Sequence, residues 1–159
     1  MSIEKGREFF RTCGIEERVL EFTVSSATVE LAAEALGVAP ARIAKTLSFK
    51  NGEGCILVVA AGDARIDNHK FKETFGVKAK MLTEEEVLFL VGHAVGGVCP
   101  FGINKGVPVY IDKSVLRFDT VYPAVGSSNS AIELTPDELY EFSAAEEWVD
   151  VCKIPEDIE

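Results

Sequence analysis

The sequence predicts an α+β fold: a mixed, partly closed, barrel-like β-sheet surrounded by short helices, in one domain over residues 1–159. Three observations carry this. Roughly seven short segments alternate apolar and polar residues with the period of a strand, and segments of helical spacing lie between them. Asn51-Gly52 stands between two strand-like arms, a dipeptide favoured in tight hairpins, and many strands are expected to be joined by hairpins rather than crossovers. A chain of 159 residues, 47% of them apolar, can bury a substantial core, and it contains no run long enough to span a membrane.

From the N-terminus, Ser2 caps a helix running to residue 13. Ile3, Phe9, Phe10 and Cys13 form its buried stripe and Gly14 stops it. Residues 19–24 read as a strand, with Leu20, Phe22 and Val24 on one face. Ser25 and Ser26 open a helix over residues 28–36, packed through Val29, Ala32, Ala33 and Leu36 and closed by Gly37. Pro40 begins a short helical turn. A strand over residues 44–50 and its return over 55–61 make the hairpin. Lys45, Leu47 and Phe49 share one face of the first arm, and Thr46 and Ser48 share the other. If the Leu47/Phe49 face is buried, the Lys45 ammonium points inward or into a cavity; the alternative is that it snorkels to water.

Gly62-Asp63 ends the return arm, Asp67 caps a helix over residues 68–75, and Gly76 stops it. Residues 77–81 form a short strand. Thr83 and Glu86 make a capping box for a helix reaching residue 90. Strands follow over residues 107–112, 120–125 and 130–134, with a turn or short helix over 113–118 and a polar turn from Gly126 through Ser127 and Ser128 to Asn129. Thr135, Pro136 and Glu138 supply cap, first-turn proline and capping-box glutamate for a last helix. A final strand over residues 148–152 precedes a polar tail.

Charge and cysteine usage narrow the function classes. The net charge is −10, which argues against a general nucleic-acid binder. Most of it is local: residues 137–159 carry nine acidic side chains against Lys153 alone. Arg65, Lys70, Lys72, Lys78 and Lys80 face only Asp67 and Glu73 between residues 65 and 80, so one face is basic, or simply a solvated helix face. Cys13, Cys55, Cys99 and Cys152 form no Cys-x-x-Cys pair and only two histidines are present, so no metal and no cofactor are expected. The N-terminus carries no apolar signal core, and the chain reads as cytoplasmic, with no membrane partner.

Residues 93–102, His-Ala-Val-Gly-Gly-Val-Cys-Pro-Phe-Gly, hold three glycines and a proline. Glycine lets backbone N–H groups approach a ligand and proline stiffens the loop. Such a loop is either a binding surface for a carbonyl oxygen or phosphate, or a tight structural turn.

Three stretches in register carry a resemblance: Arg42-Ile43-Ala44-Lys45-Thr46-Leu47, Ala61-Gly62-Asp63-Ala64-Arg65-Ile66-Asp67 and Val95-Gly96-Gly97-Val98-Cys99-Pro100-Phe101-Gly102. The chain resembles the YbaK/EbsC family of aminoacyl-tRNA deacylases, related to the editing domain inserted into bacterial prolyl-tRNA synthetases, over residues 19–139. The resemblance implies the YbaK-like, prolyl-tRNA-synthetase-associated fold and a free-standing trans-editing hydrolase that cleaves the ester of misacylated tRNA. It implies the aminoacylated 3′ end of tRNA as partner, with an aminoacyl-tRNA synthetase as a second one. The family's lysine falls on Lys45 and its Gly-x-x-x-Pro loop on Gly96, Gly97, Val98, Cys99 and Pro100, the backbone amides holding the ester carbonyl. Thr46, Gly62, Asp63, Cys99, Phe101, Gly102, Asp112, Gly126 and Ser127 fall among the substrate-binding positions. The chemistry implied is substrate-assisted, the ribose hydroxyl or substrate side chain helping the attack, so no Ser-His-Asp constellation is required.

This reaction has a physical rationale. A synthetase pocket rejects a smaller or isosteric amino acid by only ~10–200-fold, so a second, hydrolytic check is needed. Cys99 beside His93 also raises a thiol nucleophile; a pocket wall and plain packing are the other roles for Cys99, and a loop-stabilising hydrogen bond the other role for His93. Asp63 and Asp67 serve as acid and base, or as caps of the turn after the hairpin. Cysteine-specific members carry a tyrosine in the strand that falls on residues 19–24, where this chain has none, so Ala, Ser and Thr remain open as the amino acid removed. The competing reading is a non-catalytic module of the same fold that binds tRNA ends or a synthetase.

Overall fold

A computed structural model of the chain describes residues 2–24, 28–93, 98–127 and 129–154. The centre is a hairpin of β2 (Ile43–Asn51) and β3 (Gly54–Ala61), paired antiparallel from Ala44↔Ala61 to Asn51↔Gly54. Gly52, with φ +64, makes the turn, as the Asn-Gly dipeptide predicts. Around the hairpin a five-stranded sheet runs in the order β6-β2-β3-β5-β8, with β5 (Val109–Asp112), β6 (Tyr122–Pro123) and β8 (Glu147–Val149). The sheet curls into a half-barrel flanked by short helices, the expected α+β architecture.

The expectation of many hairpins is corrected for this sheet. Apart from β2–β3, every pairing in this sheet is parallel: β2 with β6, β3 with β5, β5 with β8. Parallel neighbours need crossovers, and here the helices supply them. A strand flanked on both faces reads as a continuous apolar run rather than an alternating one. In β3, Cys55, Leu57 and Val59 enter one core while Ile56, Val58 and Ala60 enter another on the opposite face.

Two small antiparallel pairs complete the strands: β1 (Val19–Glu21) with β7 (Ser130–Ile132), and β4 (Arg65–Ile66) with β9 (Cys152–Lys153). Several expected strands shorten because tertiary partners end them. Residues 77–81 contribute one bridge, Phe49↔Met81, rather than a strand. The strand over 120–125 is cut to two residues: Pro123 has no amide to donate, and Val121 pairs away from the sheet with Leu134. The single final strand divides into β8 and β9 because the Val151 amide is taken by the Asp112 carboxylate at 2.8 Å.

The helices follow the local signals. In α2 (Val29–Leu36) Thr28, expected as the first helical residue, is the cap, and Gly37 ends the helix at φ +70; Ser25 and Ser26 lie outside the described residues. Asp67 caps α3 (Asn68–Phe75), accepting from His69 N and Lys70 N. Thr83/Glu86 and Thr135/Glu138 form complete capping boxes on α4 (Glu84–Leu90) and α5 (Pro136–Phe142). α1 (Ser2–Thr12) docks by Phe10, which is fully buried, and by Gly6, where a Cβ would lie 2.6 Å from Val125 Cγ1. Among the described residues no helix is long and apolar enough to cross a membrane.

Candidate functional site

A cavity of about 250 Å³ opens beside the first half of β2. Its position follows from the short neighbours of that strand. β6 reaches only Ile43 and Ala44, and Met81 bridges Phe49, so residues 45–47 have no strand beside them on that edge among the described residues. The gap is walled by α2 and by the segment around Ser130 and Ala131, with Tyr122 and Val98 closing it. Because the cavity occupies a missing stretch of sheet, it meets both faces of β2. Lys45 and Thr46 both line it although their side chains leave the strand on opposite sides.

Lys45 lies on the Leu47/Phe49 side, and its ammonium donates to Gly62 O at 3.3 Å and to Ala64 O. Burial holds the Lys45 amine below the ordinary lysine range. Among the described residues no carboxylate is bonded to it. The Thr46 hydroxyl is buried in the opposite wall and has no hydrogen-bond partner among the described residues. A buried polar atom without a partner is uncommon. Gly62 is required where it stands: a Cβ would strike Pro40 O and lie 2.7 Å from Val29 Cγ1.

The glycine-rich loop is only partly described. Gly96 and Gly97 lie outside the described residues; Val98 lines the cavity, and Pro100 is buried and not among the lining residues. Cys99 has no exposed surface and sits in the core beneath the loop rather than on the cavity wall. Burial pushes its thiol up to about 12, so it is protonated at neutral pH and unfit as a nucleophile. His93 is buried too, its Nε2 2.7 Å from Phe101 O. A carbonyl only accepts, so Nε2 carries the proton and donates, and burial keeps the ring neutral by lowering its pKa. That nitrogen cannot also accept from Cys99, whose sulfur lies 3.5 Å away and donates to Phe101 O at 3.4 Å. The pair braces the loop, and the thiol-nucleophile reading is set aside.

Phe101 and Gly102 fasten the loop to α1. Phe101 is fully buried with its ring centroid 4.7 Å from that of Phe10, and a Cβ on Gly102 (φ +61) would lie 2.9 Å from Lys5 O. Asp63 is held by Arg117, with Nη1 at 3.1 Å and Nη2 at 2.5 Å. Asp67 acts as a helix cap. Asp112 is buried and accepts from Ser114 N and Val151 N at 2.9 and 2.8 Å. Gly126 (φ +92) and Ser127 form the turn before β7, with Ser127 Oγ donating to Asn129 Oδ1 at 2.9 Å. They adjoin Ser130, which lines the cavity. Thus Lys45, Thr46 and Val98 meet at the cavity, Gly62 holds Lys45 from behind, and Asp63, Cys99, Phe101, Gly102 and Asp112 brace surrounding segments.

Sequence reasoning missed Tyr122. Its ring walls the cavity, its hydroxyl donates to Glu133 at 3.1 Å, and the Arg42 guanidinium lies 5.2 Å over it. Nothing local marks this residue; only the long-range pairing Ile43↔Tyr122 brings it to Lys45.

Residues 23–142 match the family described as the aminoacyl-tRNA editing domain. "Uncharacterized protein YwhH" of Bacillus subtilis (strain 168) is 57% identical over 154 residues, covering 96% of this chain and 98% of that protein. The "Putative Cys-tRNA(Pro)/Cys-tRNA(Cys) deacylase EbsC" of Enterococcus faecalis is 29% identical over 114 residues, 70% of each chain. A crystal structure of "a putative trans-editing enzyme for prolyl tRNA synthetase" superposes with a TM-score of 0.86 at 31% identity, covering 96% of this chain and 97% of that one.

Proposed function

The chain belongs to the aminoacyl-tRNA editing domain family, and from that premise we propose that it is a free-standing aminoacyl-tRNA deacylase that hydrolyses the ester of misacylated tRNA in trans. The observation that carries the reading is Lys45: a cation half out of water, bonded among the described residues to backbone carbonyls alone, at the edge of a small cavity. Removing an ammonium from water without a counter-ion is unfavourable unless a ligand supplies the anion. The terminal phosphate of a tRNA 3′ end supplies that anion, and its ribose supplies neutral hydrogen-bond acceptors beside it. The names of EbsC and of the trans-editing structure point the same way, and the latter aligns over nearly its whole length.

In this reading Lys45 holds the tRNA end so that the aminoacyl group enters the cavity. At about 250 Å³ the cavity is smaller than the roughly 300–1,000 Å³ of drug-sized pockets, which suits a small amino acid such as Ala, Ser or Thr. The ester carbonyl is held by the loop of Gly96, Gly97, Val98 and Pro100: the N–H groups of Gly96, Gly97 and Val98 take up the developing oxyanion, and Pro100, which has none, stiffens the loop; one such donor is worth about 10²–10³ in rate. Water attacks with help from the ribose hydroxyl or the substrate's own side chain. A synthetase that mischarges the tRNA is the second partner.

The test is a deacylation panel of Ala-, Ser-, Thr-, Cys- and Pro-tRNA esters with the wild type and Lys45→Ala. The wild type is expected to hydrolyse at least one small aminoacyl ester, and Lys45→Ala to lose about 10²-fold or more of that rate, the scale of losing substrate positioning. Binding without turnover on every ester would overturn the reading in favour of a tRNA-end or synthetase-binding module.

A further inference from the structure

Asp63 stands between the two carbonyls that hold Lys45, those of Gly62 and Ala64. Its own side chain does not line the cavity. Both carboxylate oxygens are taken by Arg117 in a forked contact, at 3.1 and 2.5 Å, the geometry guanidinium offers and ammonium does not. Arg117 closes the 3₁₀ turn Lys113–Arg117 that follows β5, and its Nε donates to Ser114 O at 2.9 Å. Ser114 Oγ in turn accepts the amide of Ala61 at 3.1 Å. Ala64 N closes back on Ala61 O at 3.0 Å. Segment 61–64 is therefore tied to one turn at its start through Ser114 and at its middle through Arg117.

We propose that the Asp63–Arg117 pair is the positioning device of Lys45: it sets the direction of the Gly62 and Ala64 carbonyls and keeps the Asp63 carboxylate turned away from the ammonium. The inference rests on the reading of Lys45 as the cation that holds substrate. Among the groups that face Lys45, Cys152, Asp63 and Glu30 favour its ammonium and Arg65 opposes it; Asp63 is the carboxylate on the segment whose carbonyls hold it. Released from Arg117, it becomes a competitor for the same charge, and the ammonium is withdrawn from the ligand. The two side chains are only about a quarter exposed, at 25% and 23%, so the forked pair also steadies the turn; that role alone would leave the Lys45 titration where it is. Misplacement of a catalytic group by an ångström, by contrast, costs about 10²-fold in rate.

The experiment compares wild type, Arg117→Ala, Arg117→Lys and Asp63→Asn, with Arg11→Ala, an exposed arginine in an ion pair of its own, as the control. On the ester that the wild type hydrolyses fastest, kcat is expected to fall about 10- to 100-fold in Arg117→Ala, with KM within a few-fold. Arg117→Lys recovers part of the loss and Arg11→Ala is unchanged. Independently of turnover, the Lys45 titration is followed by ¹³C NMR at Cε, the resonance being assigned by its loss in Lys45→Arg. Its midpoint is expected to rise by roughly one pH unit in Arg117→Ala, as the freed carboxylate reaches the amine. Should Arg117→Ala not fold, Asp63→Asn carries the same two measurements, with a fall in kcat and a displaced midpoint. Unchanged kcat in both variants, or a Lys45 titration superimposable on the wild type in both, overturns the proposal. A wild type that hydrolyses no ester overturns the deacylase reading instead, and the titration still decides the positioning.

Discussion

Lys45 shows how a single residue was legible in part. Strand alternation alone set its amine on the face of Leu47 and Phe49, where Phe49 is buried, but the period left open whether the cation points inward or snorkels to water. That Thr46 shares the same cavity did not follow, because access from the opposite face depends on β6 ending at Pro123. Cys99 is the converse case. Beside a histidine in a glycine-rich loop it has the composition of a nucleophile, yet its surroundings give it full burial, a thiol raised to about 12 and a neutral neighbour already committed to Phe101 O. Cys99→Ser is therefore expected to deacylate within about threefold of the wild type, since the hydroxyl still donates to Phe101 O. A loss on the order of 10³-fold or more in single-turnover assays would restore the cysteine to the chemistry.

Elements whose limits are set by neighbours in sequence were read closely, and those set by distant partners were not. α3, α4 and α5 begin at Asp67, Thr83 and Thr135 because each cap satisfies amides two or three residues on. Strand ends at 120–125 and 148–152 were misjudged because Leu134 and Asp112, distant in sequence, take the amides that would have continued them. The α5 cap also carries a pH dependence. The Arg18 guanidinium, followed by the Thr135 amide, holds the Glu138 carboxyl at about 2, below its ordinary 4.5. A carboxylate whose folded value is lowered stabilises the fold fully above its unfolded value, and that contribution is lost as pH falls through the folded one. Glu138→Gln is therefore expected to lower the thermal midpoint at neutral pH. The gap to the wild type should shrink steadily between about pH 4.5 and pH 2, as thermal unfolding over that range will show; a constant gap would assign the effect to packing.

At the scale of the molecule, a chain of net charge −10 is assigned a polyanionic partner, and the distribution of charge reconciles the two. Arg65, Lys72, Lys78 and Lys80 are exposed, whereas Lys70 is engaged by Asp150 at 3.2 Å and by Cys152 O at 3.0 Å. So small a basic face supports few phosphate contacts. Binding of tRNA should weaken with salt at a log–log slope no steeper than about −4, corresponding to roughly four neutralised phosphates; a slope near −8 in titrations over 50–300 mM salt would show a much larger contact surface. By itself the sequence determined the α+β class, the central hairpin and the capped helices, because turn chemistry, capping and hydrophobic period act over a few residues; Lys45 and the loop ending at Pro100 were singled out as the site by the resemblance. Only the tertiary structure decided that the sheet around the hairpin is mostly parallel, that the cavity is a gap in the edge of β2, and that Asp63 faces Arg117 while Cys99 lies in the core. Each of these depends on which distant segment arrives alongside, and strand pairing and burial carry that information only once the chain is folded.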